Sequence, residues 1–439
     1  MLFMCLFPLL LVCLQLRCIF PHYDPDLKFS KDDVEEIDRV ISTLYENGQF
    51  SGAVLVSVKG EVVYKRAVGY ANLADGIPNT CDTKFRIASF TKPITAMLIL
   101  QLAEDGLIEL HGKLMEYLPE FAVEGGEKIS IHHLLTHRAG IIGHPRIPNL
   151  LDIEKQHYTR EELLALIMKY DLVYEPGRGR EYSNFGFALL AMVIEKVTGR
   201  SYDEVMNDRI CKPAGMTSTL SDVTEMPIAK RAVGYTYDYF NGLGEAPFLD
   251  MSFVLGAGQL ISTVEDLYLF DRALYTDKLL SESSKELFFE RYGWYRHRYP
   301  YGSGSKRIAC RNLDGSINGF QSHTQRVEKD GVFIVALRNV KESVYENEIV
   351  IKWPNAIASP VLSILYDEDY EITKRSGAFA VFKALIESGA ADAERTYAEI
   401  TGRLQDDYYI DRGEFAFFLD LLRKKNMENQ AEGYRELIK

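Results

Sequence analysis

The 439 residues of this chain are 47% hydrophobic and 26% charged, with a formal net charge of −13. A chain of this composition can bury more than one hydrophobic core and lacks the pattern of a disordered protein. The acidic balance argues against nucleic acid or an anionic membrane surface as a partner, because both attract clustered lysine and arginine. We therefore expect a folded protein with more than one core and another class of ligand.

The chain begins with an almost uninterrupted apolar run, Met1 to Leu16, which ends at Arg17. The run is short for a membrane-spanning helix, and the basic start of a typical signal peptide is absent. We predict an export leader over residues 1–20. A cleaved signal, an uncleaved membrane anchor and a misassigned start all stay open, and the mature protein is expected in the periplasm, at the cell surface or outside the cell.

The next segments carry clear periodic patterns. Asp32 to Asn47 has helical spacing of its apolar residues, and Gly52–Val58 and Glu61–Val68 predict a hairpin that turns at Lys59-Gly60. The residues that form the apolar face of the helix are Val34, Ile37, Val40, Ile41 and Leu44. Both elements are expected to belong to one sheet with a helix packed against it.

The most informative motif is Ser89-Phe90-Thr91-Lys92, which precedes a long apolar helical pattern. If a helix begins near Ser89, Lys92 lies one turn further on the same face, where its amine can help to remove the proton of the serine hydroxyl. The helix N-terminus would disfavour a protonated Lys92, and the backbone N–H of Ser89 can point at an oxyanion. Alone the motif is weak, since Ser303 and Lys306 have the same spacing in a glycine-rich stretch.

A second motif, Tyr182-Ser183-Asn184, comes about ninety residues later and precedes the apolar pattern Phe185 to Val197. In an extended loop, alternate residues point the same way. Tyr182 can then exchange a proton with Ser89 or Lys92, while Asn184 hydrogen-bonds a substrate amide and Ser183 points elsewhere.

The order of the remaining patterns predicts an α+β fold. Residues from about 97 to 249 are rich in helix and loop patterns, whereas Gly319–Val327 and Val332–Arg338 are apolar and strand-like. We expect an antiparallel sheet made from both chain ends, flanked by helices, with the helical region inserted between them. Residues 31–366 would form this domain, closed by a helix from about Asn355, with Ser89 at the seam of its two parts.

From about residue 371 to 439 the pattern changes to paired helices with a period near that of tetratricopeptide hairpins. Five positions recur about thirty-six residues later: Phe382, Leu385, Ile386, Tyr397 and Ile400 as Phe418, Leu421, Leu422, Tyr434 and Leu437. Two such units cannot bury a continuous face alone, so we expect them to dock on the rest of the chain or on a protein partner. A purely structural tail is an equal alternative.

Cysteine and histidine usage does not favour a metal site. Three of the six cysteines lie in the predicted leader. The remaining Cys81, Cys211 and Cys310 are odd in number and widely spaced, which excludes a disulfide framework and is unlike a thiolate metal site. His133 and His137 have helical spacing, but the glutamate of the metalloprotease motif is missing. We expect neither a metal nor another cofactor.

The chain resembles the serine β-lactamase and penicillin-binding-protein superfamily, in the branch of class C β-lactamases, D,D-peptidases and related esterases. Besides the two motifs, the resemblance covers several ordered segments between about Val34 and Tyr366, namely His133 to Ile141, Pro213 to Met216, Gly256 to Thr263 and Gly315 to Phe320. It implies that substrate acylates Ser89, that Lys92 and Tyr182 share the acid–base work, and that water releases the acyl group. Which of Lys92 and Tyr182 is the base stays open.

The third motif of that family is altered. The family has Lys-Thr-Gly or His-x-Gly on a strand beside the site, and this chain has Leu313-Asp314-Gly315. Gly315 still allows a substrate backbone to lie along the strand, and the N–H of Ser316 can be the second oxyanion donor. The cation at position 313 is lost, unless a basic residue folds back to replace it; the candidates are Lys306, Arg307 and Arg311.

These features predict a serine hydrolase of small esters, amides or peptides with Ser89 as nucleophile. One alternative is a D-alanyl-D-alanine carboxypeptidase or a class C-like β-lactamase. The other is a catalytically weak protein that binds cell-wall peptide while its C-terminal helices recruit a partner. Intact Ser89, Lys92, Tyr182 and Asn184 favour an enzyme, and Leu313 favours loss of activity.

Overall fold

The structure is a computed structural model that describes residue 27 and residues 29–223, 226–302, 306–342 and 355–437. The leader predicted over residues 1–20 lies outside the described residues. Among the residues that are described, no helix combines the length and the apolar character needed to cross a membrane.

The helices follow the predicted pattern at the chain ends and dominate the middle. α1 begins after Ser30, whose hydroxyl accepts a hydrogen bond from the N–H of Asp33 at 3.2 Å. The helices are α1 (Lys31–Glu46), α2 (Thr91–Glu104), α3 (Leu114–Tyr117), α4 (Ile131–Leu135), α5 (Leu150–Ile153), α6 (Arg160–Ile167), α7 (Asn184–Thr198), α8 (Tyr202–Met206), α9 (Lys212–Ala214), α10 (Val264–Leu274), α11 (Glu282–Leu287), α12 (Asn355–Leu365), α13 (Gly377–Ser388), α14 (Ala390–Thr401), α15 (Arg412–Lys424) and α16 (Glu428–Leu437).

The strands include the predicted hairpin with the bounds that the sequence suggested. They are β1 (Gly52–Val58), β2 (Glu61–Val68), β3 (Tyr70–Asn72), β4 (Ile77–Pro78), β5 (Phe85–Arg86), β6 (Leu220–Ser221), β7 (Tyr235–Asp238), β8 (Gly242–Glu245), β9 (Leu260–Ser262), β10 (Tyr295–Tyr301), β11 (Lys306–Ile317), β12 (Phe320–Val327), β13 (Val332–Arg338), β14 (Val340–Glu342), β15 (Arg375–Ser376) and β16 (Tyr408–Tyr409).

The main sheet is antiparallel and has the strand order β10-β11-β12-β13-β1-β2. The centre of the sheet joins strands from the two ends of the predicted domain, since β1 pairs with β13 from Gly52 opposite Arg338 to Ser57 opposite Phe333. The predicted α+β class, with a sheet made from both chain ends, is confirmed.

Successive residues of the central strands supply two separate cores, one on each face of the sheet. Leu55 of β1 and Val335 of β13 pack into the core shared with the helical region. Val56 of β1 and Ile334 of β13 pack on the opposite face with apolar residues of α1 and α12. The sheet is therefore covered by helices on both faces, as expected for this class.

The region expected to be rich in helix and loop also contains strands. Its first helix, α2, begins at Thr91, consistent with a helix start near Ser89, and a hairpin, β7 and β8, lies near the end of the region. β7 also pairs in parallel with β14, from Tyr235 opposite Val340. The alternating Tyr and Thr residues of β7 suit a strand, and a strand partner from a distant segment favours that conformation in the fold.

The C-terminal helices α13–α16 form a third core, which we call the tail core. Phe382 and Phe418, which correspond in the predicted repeat, stack with ring centroids 4.6 Å apart. Aromatic residues of the β7–β8 hairpin, Tyr237, Tyr239 and Phe240, pack into the same core. The tail thus docks on the rest of the chain through this hairpin.

Candidate active site

Ser89 lies on a tight turn at the start of α2. A short 3-10 helix, Ala88–Phe90, leads directly into α2 at Thr91. Ala88 has φ +49°, a left-handed conformation that side chains other than glycine adopt rarely and at a cost. The turn presents the Ser89 hydroxyl at the end of the helix, with Lys92 one turn further along.

Lys92 is buried and contacts the serine directly. Its Nζ donates to Ser89 Oγ at 3.1 Å and to the carbonyl oxygen of Ala257 at 2.9 Å. Only 6% of the residue is exposed. Burial holds the pKa of the Lys92 ammonium well below its ordinary value, because the apolar surroundings disfavour the charged form. A neutral amine beside a serine hydroxyl can accept its proton.

Tyr182 contacts the same hydroxyl. Its phenol oxygen is 2.7 Å from Ser89 Oγ, and Lys92 Nζ lies 4.7 Å from the centre of its ring. Although 41% of the residue is exposed, burial around the phenol raises its pKa to about 12, an effect that the hydrogen bond with Ser89 only partly opposes. The phenol is therefore protonated near neutral pH and can donate a proton.

His137 supports Tyr182, a role that the sequence did not indicate. Its ring lies 4.5 Å from the Tyr182 ring, centroid to centroid, and its Nδ1 accepts from the N–H of Ser183 at 3.2 Å. Burial is the main cause that lowers the pKa of His137 to about 3, with smaller effects of the neighbouring Lys92 and Arg180. The backbone of His137 has a positive φ of 57°, a conformation that the periodicity of the sequence does not predict. His133 Nδ1 accepts instead from the N–H of Ser130 at 3.3 Å.

Asn184 does not share the cavity wall with Tyr182 as predicted. The hydroxyl of Ser183 caps α7 by accepting from the N–H of Gly186 at 3.3 Å, so Asn184 is already the first residue of that helix. Ser183 also donates to the carbonyl oxygen of Ile142 at 2.9 Å and so points away, as expected. The Oδ1 atom of Asn184 is buried and has no hydrogen-bond partner among the described residues.

Gly315 brings strand β11 against the nucleophile turn. A Cβ atom at this position would lie 3.0 Å from the backbone nitrogen of Ser89 and would overlap the carbonyl oxygen of Ile87. The β10 pairing of β11 ends at Asn312, so residues 313–317 pair only with β12 within the described sheet. Glycine is needed here because the strand passes too close for a side chain.

Leu313 lies on the same face of β11 as Gly315 and is buried, with its side chain in the core shared with the helices. Ser316 points to the opposite face, where its hydroxyl accepts a hydrogen bond from the buried Lys341. The structure therefore places a leucine where the family has a cation or imidazole.

No basic residue of β11 replaces the missing cation. Lys306 pairs with Glu368, and Arg307 Nη1 donates to the carbonyl oxygen of Arg298 at 3.3 Å. Arg311 binds Glu290 at 2.9 Å and Glu328 at 3.1 Å. All three of the suggested substitutes are thus engaged elsewhere.

Ser89, Lys92 and Tyr182 open into one cavity of about 570 Å³, which also contacts Leu313. Asn184, Gly315 and Ser316 are not among its lining residues. The full lining is Ser89, Lys92, Pro93, His132, Leu135, Thr136, His137, Arg138, Arg180, Tyr182, Phe187, Phe289, Glu290, Arg291, Tyr292, Gly293, Trp294, Tyr295, Arg296, Leu313 and Asp314. Such a cavity, with an activated serine at its surface, can hold a small acyl donor.

The family model described as Beta-lactamase matches residues 37–343, which include both motifs and strand β11. The chain belongs to the beta-lactamase family. Members of this family are serine hydrolases, and the resemblance to β-lactamases and penicillin-binding proteins noted from the motifs is confirmed.

Several known proteins are similar to this one. Penicillin-binding protein 4* of Bacillus subtilis (strain 168) is 27% identical over 438 residues, covering 88% of this chain and 92% of that protein. The crystal structure of D-amino acid amidase from Ochrobactrum anthropi SV3 with L-phenylalanine amide matches with a TM-score of 0.67 and 25% identity, over 76% of this chain and 99% of that one. FmtA from Staphylococcus aureus matches in fold with a TM-score of 0.63 and 23% identity, over 80% of this chain and 95% of that one.

Proposed function

We propose that this protein is an exported hydrolase of small esters or amides that forms an acyl-enzyme on Ser89. The observation that carries the proposal is the hydrogen-bonded set at the cavity floor, in which Lys92 Nζ lies 3.1 Å and the Tyr182 hydroxyl 2.7 Å from Ser89 Oγ. A serine with a base on one side and a proton donor on the other is equipped for nucleophilic catalysis.

In the acylation step, Ser89 Oγ attacks the substrate carbonyl carbon and its proton passes to the neutral amine of Lys92. The tetrahedral intermediate then collapses, the bond to the leaving alcohol or amine breaks, and Tyr182 delivers a proton to the leaving group. Lys92 is the proposed base in the free enzyme. Its depressed pKa favours the unprotonated amine, which can accept a proton, whereas the raised pKa of the phenol keeps Tyr182 protonated. Lys92 returns the proton to Tyr182 to close the cycle.

Deacylation reverses the same proton path. Water attacks the acyl-serine ester, its proton passes to the base, and Ser89 recovers a proton as the carboxylic acid leaves. The net reaction consumes one water for each ester or amide bond that breaks. The backbone N–H groups of Ser89 and Ser316 are the proposed donors to the oxyanion, since Gly315 lets β11 approach the nucleophile turn.

Asn184 is proposed to bind a substrate amide through its side chain. Its Oδ1 is buried without a partner among the described residues, and a buried acceptor of this kind is stabilised by any donor that reaches it. Because Asn184 does not line the cavity, a small rotation of its side chain must accompany binding.

Leu313 directs the choice of substrate. A substrate carboxylate beside the scissile bond would leave water without gaining a charged partner on β11, which disfavours β-lactams and D-alanyl peptides. We therefore favour an esterase or amidase over a carboxypeptidase or β-lactamase. The similarity to a D-amino acid amidase supports small amides as a substrate class to test beside esters.

The test is covalent labelling followed by turnover. A fluorophosphonate should add one label to the intact protein, and short-chain p-nitrophenyl esters should be hydrolysed with a higher kcat/KM than nitrocefin, a carboxylate-bearing cephalosporin. Ser89→Ala should abolish the label and lower turnover by about 10⁴- to 10⁶-fold, the range found when a nucleophile is removed.

A matched control uses the second serine with the same spacing. Ser303→Ala alters the other Ser-x-x-Lys sequence and should leave labelling and turnover unchanged. Labelling that persists in Ser89→Ala would refute the assignment of the nucleophile. An unlabelled wild-type protein without ester or amide turnover would favour the alternative of a peptide-binding protein.

A further inference from the structure

The active-site cavity carries an excess of positive charge on an acidic protein. Four arginines line it, and the only carboxylates among its lining residues are Glu290 and Asp314. The four arginines are Arg138, Arg180, Arg291 and Arg296. The whole chain has a net charge of −13, so this local excess of positive charge runs against the average composition.

Both carboxylates of the cavity already have partners. Glu290 binds Arg296 at 2.5 Å and Arg311 at 2.9 Å. Asp314 lies 2.6 Å from Nδ1 of His323. Neither carboxylate is therefore available to neutralise a further arginine.

Three of the four arginines, by contrast, form no ion pair within the described part of the chain. Arg138, Arg180 and Arg291 are all exposed at the cavity, and the one hydrogen bond found for Arg138 Nε goes to the carbonyl oxygen of Gly179 at 3.3 Å. Exposed arginines are common on any surface. Three that face one cavity without a carboxylate partner are a set that an anion can bind.

The three arginines line the same cavity as the proposed acid–base residues and lie on segments other than β11. Arg180 precedes Tyr182 by two residues, and Arg138 follows His137 directly. Arg291 and Arg138 both lie near His132, whose pKa they lower after the larger effects of burial and of His111 and His133. The positive charge is thus concentrated on the segments around α4 and Tyr182 and before β10.

We propose that the natural substrate carries a carboxylate remote from the bond that is broken, and that Arg138, Arg180 and Arg291 bind it. The proposal rests on the hydrolase function above and specifies its substrate class. A guanidinium offers two parallel N–H groups to a carboxylate, a geometry that fixes orientation as well as charge. A cationic cavity mouth also raises the rate at which anionic substrates arrive.

The test compares matched ester pairs that differ only in charge. One pair places the charge on the acyl side, p-nitrophenyl hydrogen glutarate against p-nitrophenyl pentanoate. The other places it on the leaving group, 4-carboxyphenyl acetate against 4-carbamoylphenyl acetate. We expect the ratio of kcat/KM, anionic over neutral, to favour the anion in one of the pairs, and that pair identifies the side that the arginines contact.

The triple variant Arg138→Gln/Arg180→Gln/Arg291→Gln should lower that ratio by about tenfold, since exposed ion pairs contribute modestly one by one. Raising the salt concentration should lower the ratio in the wild type but not in the variant, because the attraction is screened. Arg298→Gln is the matched control: Arg298 is exposed on β10 but does not line this cavity, so the ratio should stay as in the wild type.

Two results would overturn the proposal. One is an anionic-to-neutral ratio at or below one in both pairs. The other is a preference for the anion that the triple variant retains. In either case, turnover of the neutral esters that depends on Ser89 would still support the proposed hydrolase, so the failure of this inference is separate from the failure of the function.

Discussion

The two walls of the active-site cavity follow the family pattern to different degrees. We call the wall formed by α2 and the turn before α7 the nucleophile wall, after the proposed role of Ser89. On this wall, Lys92 and Tyr182 each lie within hydrogen-bond distance of Ser89. On the β11 wall, Gly315 is kept because the strand passes close to Ser89, while Leu313 offers no donor and no charge. In the function proposed above, bond breaking and substrate recognition depend on separate elements, so recognition can change while the chemistry persists.

The walls also differ in charge. Burial favours the neutral forms of the residues on the nucleophile wall, since it depresses the pKa of Lys92 and of His137 and raises that of Tyr182. The exposed arginines of the cavity lining, Arg138, Arg180 and Arg291, which we call the rim, form no ion pair with any residue that the structure describes. The neutral residues around Ser89 suit short proton transfers at the bond that breaks. The cationic rim suits binding of a charged group of the substrate at some distance from that bond.

The largest effects should come from breaking the nucleophile wall. Lys92→Ala and Tyr182→Phe should each lower kcat/KM by about 10²- to 10⁴-fold, the contribution typical of a positioned acid or base. Because both residues act on the proton of Ser89, the double variant should be hardly slower than the worse single variant. A double-mutant cycle on a p-nitrophenyl ester measures this, and losses that simply add would mean that the two residues do not share a role.

The pH dependence of turnover should report the neutral amine. Lys92 must be unprotonated to act as base, so activity should be lost as the pH falls through its folded-state pKa, which lies well below that of an exposed lysine. Tyr182 must be protonated to act as acid, and its pKa of about 12 puts the alkaline loss far above neutral pH. We expect full kcat/KM at neutral pH, measured with an ester whose own hydrolysis is corrected for.

The contrary result would be a kcat/KM that already falls as the pH drops through the ordinary pKa of lysine, with little activity left at neutral pH. That outcome would mean that the Lys92 amine is charged in the free enzyme and that burial does not control it. The phenol would then have to be the base.

A smaller effect is expected from repairing the β11 wall. Leu313→His introduces the imidazole of the family motif and should raise the kcat/KM ratio of nitrocefin to a neutral ester by about tenfold, equivalent to about 1.4 kcal/mol. Leu313→Met is the matched control, because it keeps an apolar side chain of similar volume without a donor. If the wild type already hydrolyses nitrocefin faster than the esters, the interpretation of Leu313 is wrong and the arginines of the rim become the source of the missing charge.

Sequence motifs predicted the nucleophile wall because its residues are linked by local geometry. Ser89 and Lys92 are one helical turn apart, and Tyr182 precedes a strong apolar helix that fixes its place. The arginines of the rim carry no such signal. Arg138, Arg180 and Arg291 are exposed and far apart in sequence, and only the fold brings them to one cavity.

The main sheet was also predictable from the sequence, whereas the contact between the tail and the β7–β8 hairpin was not. Strand-like apolar runs indicated β12 and β13, and the sequence from Gly52 to Val68 indicated the hairpin of β1 and β2. The runs are continuous in β1 and β13 because both faces of the sheet are buried at these strands. The β7–β8 hairpin depends on a parallel partner, β14, about one hundred residues away and on aromatic contacts with the tail. Such long-range pairing leaves little trace in a single segment.

The smallest effect on turnover, but a large one on stability, should come from the tail. Truncation after Asp369 removes α13–α16 and exposes Tyr237, Tyr239 and Phe240, which pack into the tail core. We expect a lower melting temperature and more aggregation, because the apolar surface left behind is contiguous. The ester kcat/KM of the folded fraction should change little, since none of the described tail residues lines the cavity at Ser89.

A point variant separates loss of the tail fold from loss of its contact with the hairpin. Phe418→Ala, at a fully buried site in the tail, should destabilise the tail core by about 3–5 kcal/mol, as for other buried aromatic residues. Phe240→Ala removes a hairpin ring whose centroid lies 5.5 Å from that of Phe382. It should weaken only the contact between the hairpin and the tail. If the truncated protein keeps the melting temperature and solubility of the full chain, the tail is an independent appendage whose contact with the hairpin adds no stability. Binding of a protein partner would then be the better explanation of its aromatic core.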